Sequence, residues 1–323
     1  MLPSGSMERP LVSIVLPTYR RPTYLERAIA SVLVQSYPDW DLIIVDDNDD
    51  RSDDRRRTEA IARVHMRDER VRLIGHDRNR GGSAARNTGA RHAAGEYIAF
   101  LDDDDEWLPT KLERQLETFR AGTNDAAAVF TAFVHVSHEG EGERLQIPRI
   151  LEPLVPILLC YNAIGPTSIM MVRRDALSSV GGFDETLPAK QDVDLYVRLA
   201  EAYRFDVVLE PLVRFHRHGD ASIGKDSRAA VEAQRAFARK HAARIDASDS
   251  VRKHRLIEGA RVLLAAGQMR AARRDLIDAM RIHLMDTDAA LLLAASYLGP
   301  LTRWFSRRRV ASRVARSGAR SAG

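Results

Sequence analysis

The chain has 323 residues, 45% of them hydrophobic, which suffices for a sizeable core in one large domain or one domain with an extension. A single cysteine, Cys160, excludes an internal disulfide framework and any cysteine-cluster zinc site, and it fits a reducing compartment such as the cytoplasm. The formal charge of +4 divides into +7 on residues 301–323, which hold seven Arg and no acid, and −3 on the rest; a uniformly basic nucleic-acid-binding surface is thereby excluded.

Residues 1–10 lack the basic and then apolar pattern of a signal peptide, and their Gly-Ser pair before Met7 reads as an expression scar or a disordered arm. From there the pattern alternates. LVSIVLP (11–17) is a β-branched apolar run and predicts a strand buried on both faces. Pro22 then opens a helix that sets Leu25, Ile29, Val32 and Leu33 on one face. DLIIVDD (41–47) predicts a second strand, ending in acids, and a charged helix follows near 53–66. VRLIG (71–75), a Gly-bounded helix near 82–93 and EYIAFLD (96–102) continue the series. Strands alternating with helices predict an α/β fold, Rossmann-like, with a mainly parallel sheet flanked by helices. Ligands of such sheets bind beyond the carboxyl ends of the strands, which is where Asp46-Asp47 and Asp102 to Asp105 both fall.

From 126 the pattern is less regular. AAAVFTAFVHV and TSIMMVRR predict strands, QDVDLYVRLAEAY a helix, and FDVVLEPLVRFHRH two short strands around Pro211. Beyond 226, helical periodicity dominates near 228–243, 252–266, 270–284 and 288–298, with Gly267 placed as in a helical hairpin. A membrane span needs about 20 apolar residues. The stretch 151–172 is broken by Glu152, Pro153, Pro156 and Pro166, and 289–298 is cut short by Gly299-Pro300.

The four consecutive carboxylates Asp102 to Asp105 sit at the end of an apolar run, where like charges repel strongly. A hard cation such as Mg2+ or Mn2+ reverses that sign, and Asp102-x-Asp104 could supply one or two of its ligands. Capping of the helix expected near Pro109 is the plainer explanation, though capping needs one acid. Asp46-Asp47 could cap the next helix or accept hydrogen bonds from a ribose or base edge. The first strand is followed by PTYRRP, with no GxGxxG, which speaks against NAD or FAD. In RNRGGSAARNTGARHAAG (78–95) a Gly pair precedes a helix carrying Arg86 and Asn87, without the pattern of a P-loop. Asp192 opens the helix of KQDVDLYVRLA as a cap or a functional acid, and His216 and His218 lie two apart on an expected strand.

Together, VSIVLPTYRR, LIIVDDND, NRGGSAARNTGARHAAGEYIAFLDDDDEWLPTKLE, GGFDETLPAKQDVDLYVRLA and LVRFHRHGDASI resemble the successive motifs of the family 2 glycosyltransferases, enzymes of GT-A fold that use nucleotide-sugar donors. The resemblance covers about residues 11–222. It implies a GT-A domain over 11–225, with a nucleotide-sugar-binding half (11–125) and an acceptor half (126–225), followed by a helical extension (226–300) and a basic tail (301–323). It implies that Asp47, with Pro17 and Tyr19, recognises the base, and that Asp46, Arg78, Arg86, Asp102, Asp103 and His218 belong to the donor site. Asp102 and Asp104 match the metal-binding DxD segment, Asp104 being the direct ligand of Mn2+ or Mg2+. Asp192 takes the place of the catalytic base, with Gln191 where the family carries Glu, Val193 where Trp is common, and His216 where Arg is more usual.

The implied reaction is inverting transfer from a UDP-, GDP- or dTDP-sugar to a hydroxyl of a saccharide or glycolipid acceptor. Three rivals remain. A haloacid-dehalogenase-type phosphatase would want Thr or Val where Glu106 stands, and a receiver domain would be much shorter. A catalytically degenerate scaffold of the same fold, or a membrane-associated binding protein, is the non-enzyme alternative. The apolar residues of 291–305, followed by the Arg-rich segment, suit a peripheral contact with an anionic membrane on its cytoplasmic face.

Overall fold

The computed structural model describes residues 10–122, 126–137, 143–217, 227–284 and 286–297. In chain order they form β1 (Val12–Thr18), α1 (Pro22–Leu33), β2 (Trp40–Asp46), α2 (Asp53–His65), β3 (Val71–Gly75), α3 (Gly82–His92), β4 (Tyr97–Phe100), β5 (Glu106–Trp107) and α4 (Lys111–Ala121). There follow β6 (Ala126–Ser137), β7 (Arg144–Gln146), α5 (Leu154–Cys160), β8 (Met170–Arg173), α6 (Arg174–Ser179), α7 (Gln191–Ala200) and β9 (Arg204–Arg217). The last elements are α8 (Ser227–Lys240), α9 (Ala242–Asp246), α10 (Asp249–Ala265), α11 (Met269–Ile282) and α12 (Thr287–Ala295). The chain divides into two compact units, the first built on the sheet and the second from residues 159–161, 187–190 and the chain beyond 219.

In the first unit the strands run in the order β3-β2-β1-β4-β8-β6-β9-β5, with β7 beside β6. β3, β2, β1 and β4 pair in parallel, as do β6 and β9, whereas β8 runs antiparallel to both β4 and β6. The result is a mixed, mainly parallel sheet. Its first half follows from the apolar runs: β1 and β2 are buried on both faces nearly throughout, as parallel strands covered by helices must be. Because the chain steps outward from β1 to β2 and β3 and then returns to place β4 on the other side of β1, the crevice of the fold opens beyond Thr18 and Leu101.

Two expectations need correction. Residues 204–217 form one strand, β9, rather than two; register shifts opposite Thr131 to Phe133 let it pass Pro211 unbroken, because a bulge absorbs the missing N–H donor. In TSIMMVRR only the second half is strand. Thr167–Ile169 form a 3₁₀ turn, which carries Ser168 to the acidic segment.

Capping is also assigned elsewhere. Ser52 accepts the Arg55 N–H and caps α2, so Asp46 and Asp47 do not. Helix α4 starts at Lys111, after Thr110, and none of Asp102 to Asp105 caps it.

In the second unit, Ile257, Leu263 and Leu264 of α10 pack with Ala272, Leu276 and Ala279 of α11 and Ala289 of α12. The expected hairpin turns at Gly267, whose φ of 75° lets its own N–H reach Leu264 and that of Gln268 reach Leu263. Among the described residues no helix is long and apolar enough to cross a membrane. The tail 301–323 lies outside the described residues, as do residues 1–9; of the apolar residues expected at a membrane, Leu292 and Leu293 of α12 pack against this helical core and Leu291 is exposed, while Leu298, Trp304 and Phe305 lie outside the described residues.

Candidate functional site

The acidic segment leaves β4 at Phe100 and lies beside the loop that leaves β1. Thr18 Oγ1 donates to Asp103 Oδ2 at 2.8 Å and the Tyr19 N–H to the same oxygen at 3.4 Å. Burial, and then the charge of Asp104, push the Asp103 carboxyl up to about 7, against the opposing pull of Arg21. Asp105 is wholly buried and accepts from Ser168 Oγ at 2.5 Å and from the His216 N–H at 3.2 Å. Desolvation raises its pKa well above the ordinary carboxylate range. Asp103 and Asp105 therefore face inward and anchor the segment, while Asp102 and Asp104, at alternate positions, keep more exposure at 26% and 16% of their side chains.

Each of these two meets a guanidinium. Asp104 pairs with Arg21, and its own carbonyl accepts from Arg27 Nη2 at 2.8 Å. Asp102 pairs with Arg86 through Oδ1 and accepts from Thr167 Oγ1 at 3.2 Å through Oδ2. Burial and the charge of Asp102 raise the Asp104 pKa, as expected for two carboxylates set around a place that favours positive charge. Two carboxylates suit a hard cation that draws its remaining ligands from diphosphate and water. Three metal-ligating side chains do not converge anywhere among the described residues, so a protein-only cage is not what this donor set forms.

Helix α3 brings Arg86 into the site. Gly81, at φ 89°, begins it, and Gly89 lets it lie against Val15 of β1. Arg86 feels the charges of both Asp102 and Asp192, and thus joins the acidic segment to the start of α7. Asp192 is half-buried there, and Asn162 Nδ2 donates to its Oδ2 at 2.9 Å. Burial raises the Asp192 pKa, opposed by the Val193 N–H and by Arg86. Tyr196, one turn on, lies in the same electrostatic neighbourhood.

The remaining expected residues divide. Pro17 and Tyr19 are half-buried at the end of β1, with Arg20 5.1 Å above the Tyr19 ring. Asp47 is buried and holds the loop before α3, accepting from the Arg80 and Gly81 N–H groups at 2.8 Å each and from Asn79 Nδ2 at 3.0 Å. His76 Nδ1 lies 2.7 Å from its Oδ1, the oxygen that also accepts from Arg80, and His76 Nε2 lies 2.9 Å from Thr88 Oγ1.

Asp46 is wholly buried and faces Arg55 at 3.5 Å and the Asn48 amide, the contacts of a structural acid. Arg78 is 77% exposed, near Asp77 at 4.0 Å, and is not gathered with the carboxylates. His216 Nε2 lies 2.7 Å from Glu106 Oε1, behind the acidic segment. His218 lies outside the described residues.

Sequence reading missed Arg21, His76, Asn162, Thr167 and Ser168. Only Arg21 carried a signal, as a basic residue in the loop that replaces GxGxxG; the others are brought in by long-range packing.

Residues 13–181 match the family model Glycosyl transferase family 2. An uncharacterized glycosyltransferase of Methanocaldococcus jannaschii, MJ1057, is 32% identical over 219 residues, covering 65% of this chain and 72% of that one. A Bacillus subtilis glycosyltransferase named for teichuronic acid biosynthesis, TuaG, is 39% identical over 134 residues, 41% of this chain and half of its own length. Among solved structures, the mannosyltransferase PcManGT of Pyrobaculum calidifontis, in complex with GDP-Man and Mn2+, superposes with a TM-score of 0.60 at 19% identity, covering 93% of this chain and 84% of that one. That likeness establishes a shared GT-A fold.

Proposed function

Since the chain belongs to Glycosyl transferase family 2 and is a glycosyltransferase, we propose that it moves a hexose from a nucleotide-sugar donor to a saccharide or glycolipid hydroxyl with inversion at the anomeric carbon. The observation that carries this reading is the cluster in which Arg86 pairs with Asp102 and feels the charge of Asp192; the reading makes Asp102 the donor-side acid and Asp192 the acid for an acceptor.

Asp102 and Asp104 would hold a Mn2+ or Mg2+ ion, which supplies Lewis acidity to the diphosphate leaving group. Thr167 and Arg86 orient Asp102, and Arg21 and Arg27 hold Asp104. Thr18 and the Tyr19 N–H fix Asp103, and so tie the loop after β1, where a base would stack or bond, to the metal-binding segment. Asp192 accepts the proton of the acceptor hydroxyl as that oxygen bonds to the anomeric carbon; the anomeric C–O bond breaks and its electron pair leaves with the diphosphate. A carboxylate whose pKa burial has raised is a stronger base than one in water, and Asn162 holds it in one orientation.

Replacement of the two acids separates their roles. Asp104→Asn should weaken donor binding in Mn2+ as well as turnover. Asp192→Asn should leave donor affinity within a few-fold and lower turnover by roughly 10² to 10⁴. EDTA should abolish activity and Mn2+ or Mg2+ restore it. Wild-type turnover in Asp192→Asn would overturn the assignment of the base, and full activity in EDTA that of the metal.

A further inference from the structure

Charge separates along the chain where the two units do. Residues 1–219 hold 28 Lys and Arg against 35 Asp and Glu, a balance of −7, whereas residues 220–323, nearly all of the helical unit, hold 21 against 10, a balance of +11. The excess does not belong to the tail alone, because residues 227–297 already hold 13 basic against 8 acidic side chains.

Helix α12, from which the tail departs, is apolar on two sides. Ala289, Leu292 and Leu293 pack against the core that α10 and α11 form. Ala290, Leu291, Ala294 and Tyr297, spaced as one helical face, are exposed, Leu291 at 51% and Tyr297 at 66%. A helix that is apolar all round is ordinarily covered all round. No charged side chain interrupts the sequence between Asp288 and Arg303. The acids at the start of α12 are both met by cations, Asp286 by Lys253 at 2.9 Å and Asp288 by Arg261 at 3.6 Å. At its far end Arg273 donates to the Ser296 hydroxyl at 3.0 Å and carbonyl at 2.7 Å, and its guanidinium carbon lies 3.7 Å from the centroid of the Tyr297 ring. The exposed face therefore ends in an aromatic ring held beside a cation, and the next charges along the chain are seven Arg.

We propose that this face of α12 docks on an anionic lipid bilayer, with Leu291 and Tyr297 entering the headgroup boundary while Arg273 and the Arg of residues 301–323 attract the lipid phosphates. The charge balance favours this occupant over the others. Residues 298–323, folded back on the face, would bring seven further Arg to a unit that is already basic, and pairing of two α12 helices would bring two such units together. A nucleic acid would match the charge and leave the apolar side chains in water.

The test is sedimentation of the full chain with vesicles of phosphatidylcholine, alone or mixed with phosphatidylglycerol. Binding to the mixed vesicles should be about tenfold or more stronger than to phosphatidylcholine, and should weaken several-fold between about 0.1 M and about 0.5 M NaCl. Leu291→Gln/Tyr297→Gln, which alters no charge and keeps good helix formers, should lose about tenfold in partitioning with a melting temperature near that of the wild type. Should that variant fail to fold, Leu291→Trp supplies a second reading: brominated phosphatidylglycerol vesicles should quench its fluorescence more than that of the wild type. Equal binding to both vesicle types, or none, would overturn the proposal. So would unaltered binding of the double Gln variant, which would leave the tail sufficient by itself. Binding of an oligothymidylate or self-association, either one lost in that variant while vesicles are not bound, would assign the face to a nucleic acid or to a second copy instead.

Discussion

His76 Nδ1 lies 2.7 Å from Asp47 Oδ1, and both side chains are buried. The carboxylate is thus engaged at Oδ1 by the histidine and the Arg80 N–H and at Oδ2 by the Asn79 amide and the Gly81 N–H. An acid of this kind shapes the loop that launches α3, and so fixes where Arg86 emerges.

Asp47→Ala should therefore lower the stability of the unliganded protein by about 2–4 kcal/mol, since several buried donors lose their acceptor. Urea denaturation measures it. A residue that only touched the nucleotide would leave the urea midpoint unchanged and weaken donor binding alone.

The pKa of Asp103, at about 7, sets a pH dependence. Between the ordinary carboxylate range near pH 4 and about pH 7, the native state keeps a proton that the unfolded chain has released. Stability should consequently fall as pH rises through this window, by up to about 1.4 kcal/mol per unit; the contribution is complete below about pH 4 and gone above about pH 7. Asp103→Asn, which still accepts from Thr18, should flatten that slope in metal-free urea titrations. Mn2+ added near pH 6.5 should release protons, read with an indicator dye in weak buffer.

The sheet's parallel half was legible because β1, β2 and β4 are buried on both faces and announce themselves as unbroken apolar runs. The acidic segment was legible for the opposite reason, as charge where burial was expected. What stayed hidden depends on distant partners: Ser168 reaches Asp105 across 63 residues and Asn162 reaches Asp192 across 30, and neither has a local pattern. Pro211 misled because a proline ordinarily interrupts a strand, whereas here the register shift across β6 accommodates it. Asp46 and Asp47 look equivalent in sequence; the end of β2 turns one into the core beside Arg55 and the other toward the loop before α3.

Gly89 offers a test of how tightly α3 must approach β1. A Cβ there would overlap Val15 Cγ1. Gly89→Ala should cost about 1–3 kcal/mol despite the better helix propensity of Ala, because the helix must shift or Val15 must leave its rotamer. The same shift would displace Arg86, three residues earlier on the helix, so donor affinity should fall along with thermal stability. A gain in melting temperature would show that α3 has room to spare.

Asp192 and Asp194 stand two residues apart on α7 but differ in what surrounds them. Asp194 is wholly buried and accepts from Arg198 at 2.7 and 2.9 Å, and Arg198 Nη1 goes on to the Val180 carbonyl at 2.5 Å. Its removal leaves a largely buried guanidinium without its carboxylate, so Asp194→Ala should lose about 3–5 kcal/mol of stability. Asp192→Asn, by contrast, keeps the shape of a half-buried side chain and the bond from Asn162 through its amide oxygen, so its melting temperature should stay near that of the wild type while turnover collapses. Circular dichroism melts and rate measurements on the two variants should thus give opposite profiles. A variant of Asp194 that folds normally and loses only turnover would make Asp194 the better candidate for the proton acceptor.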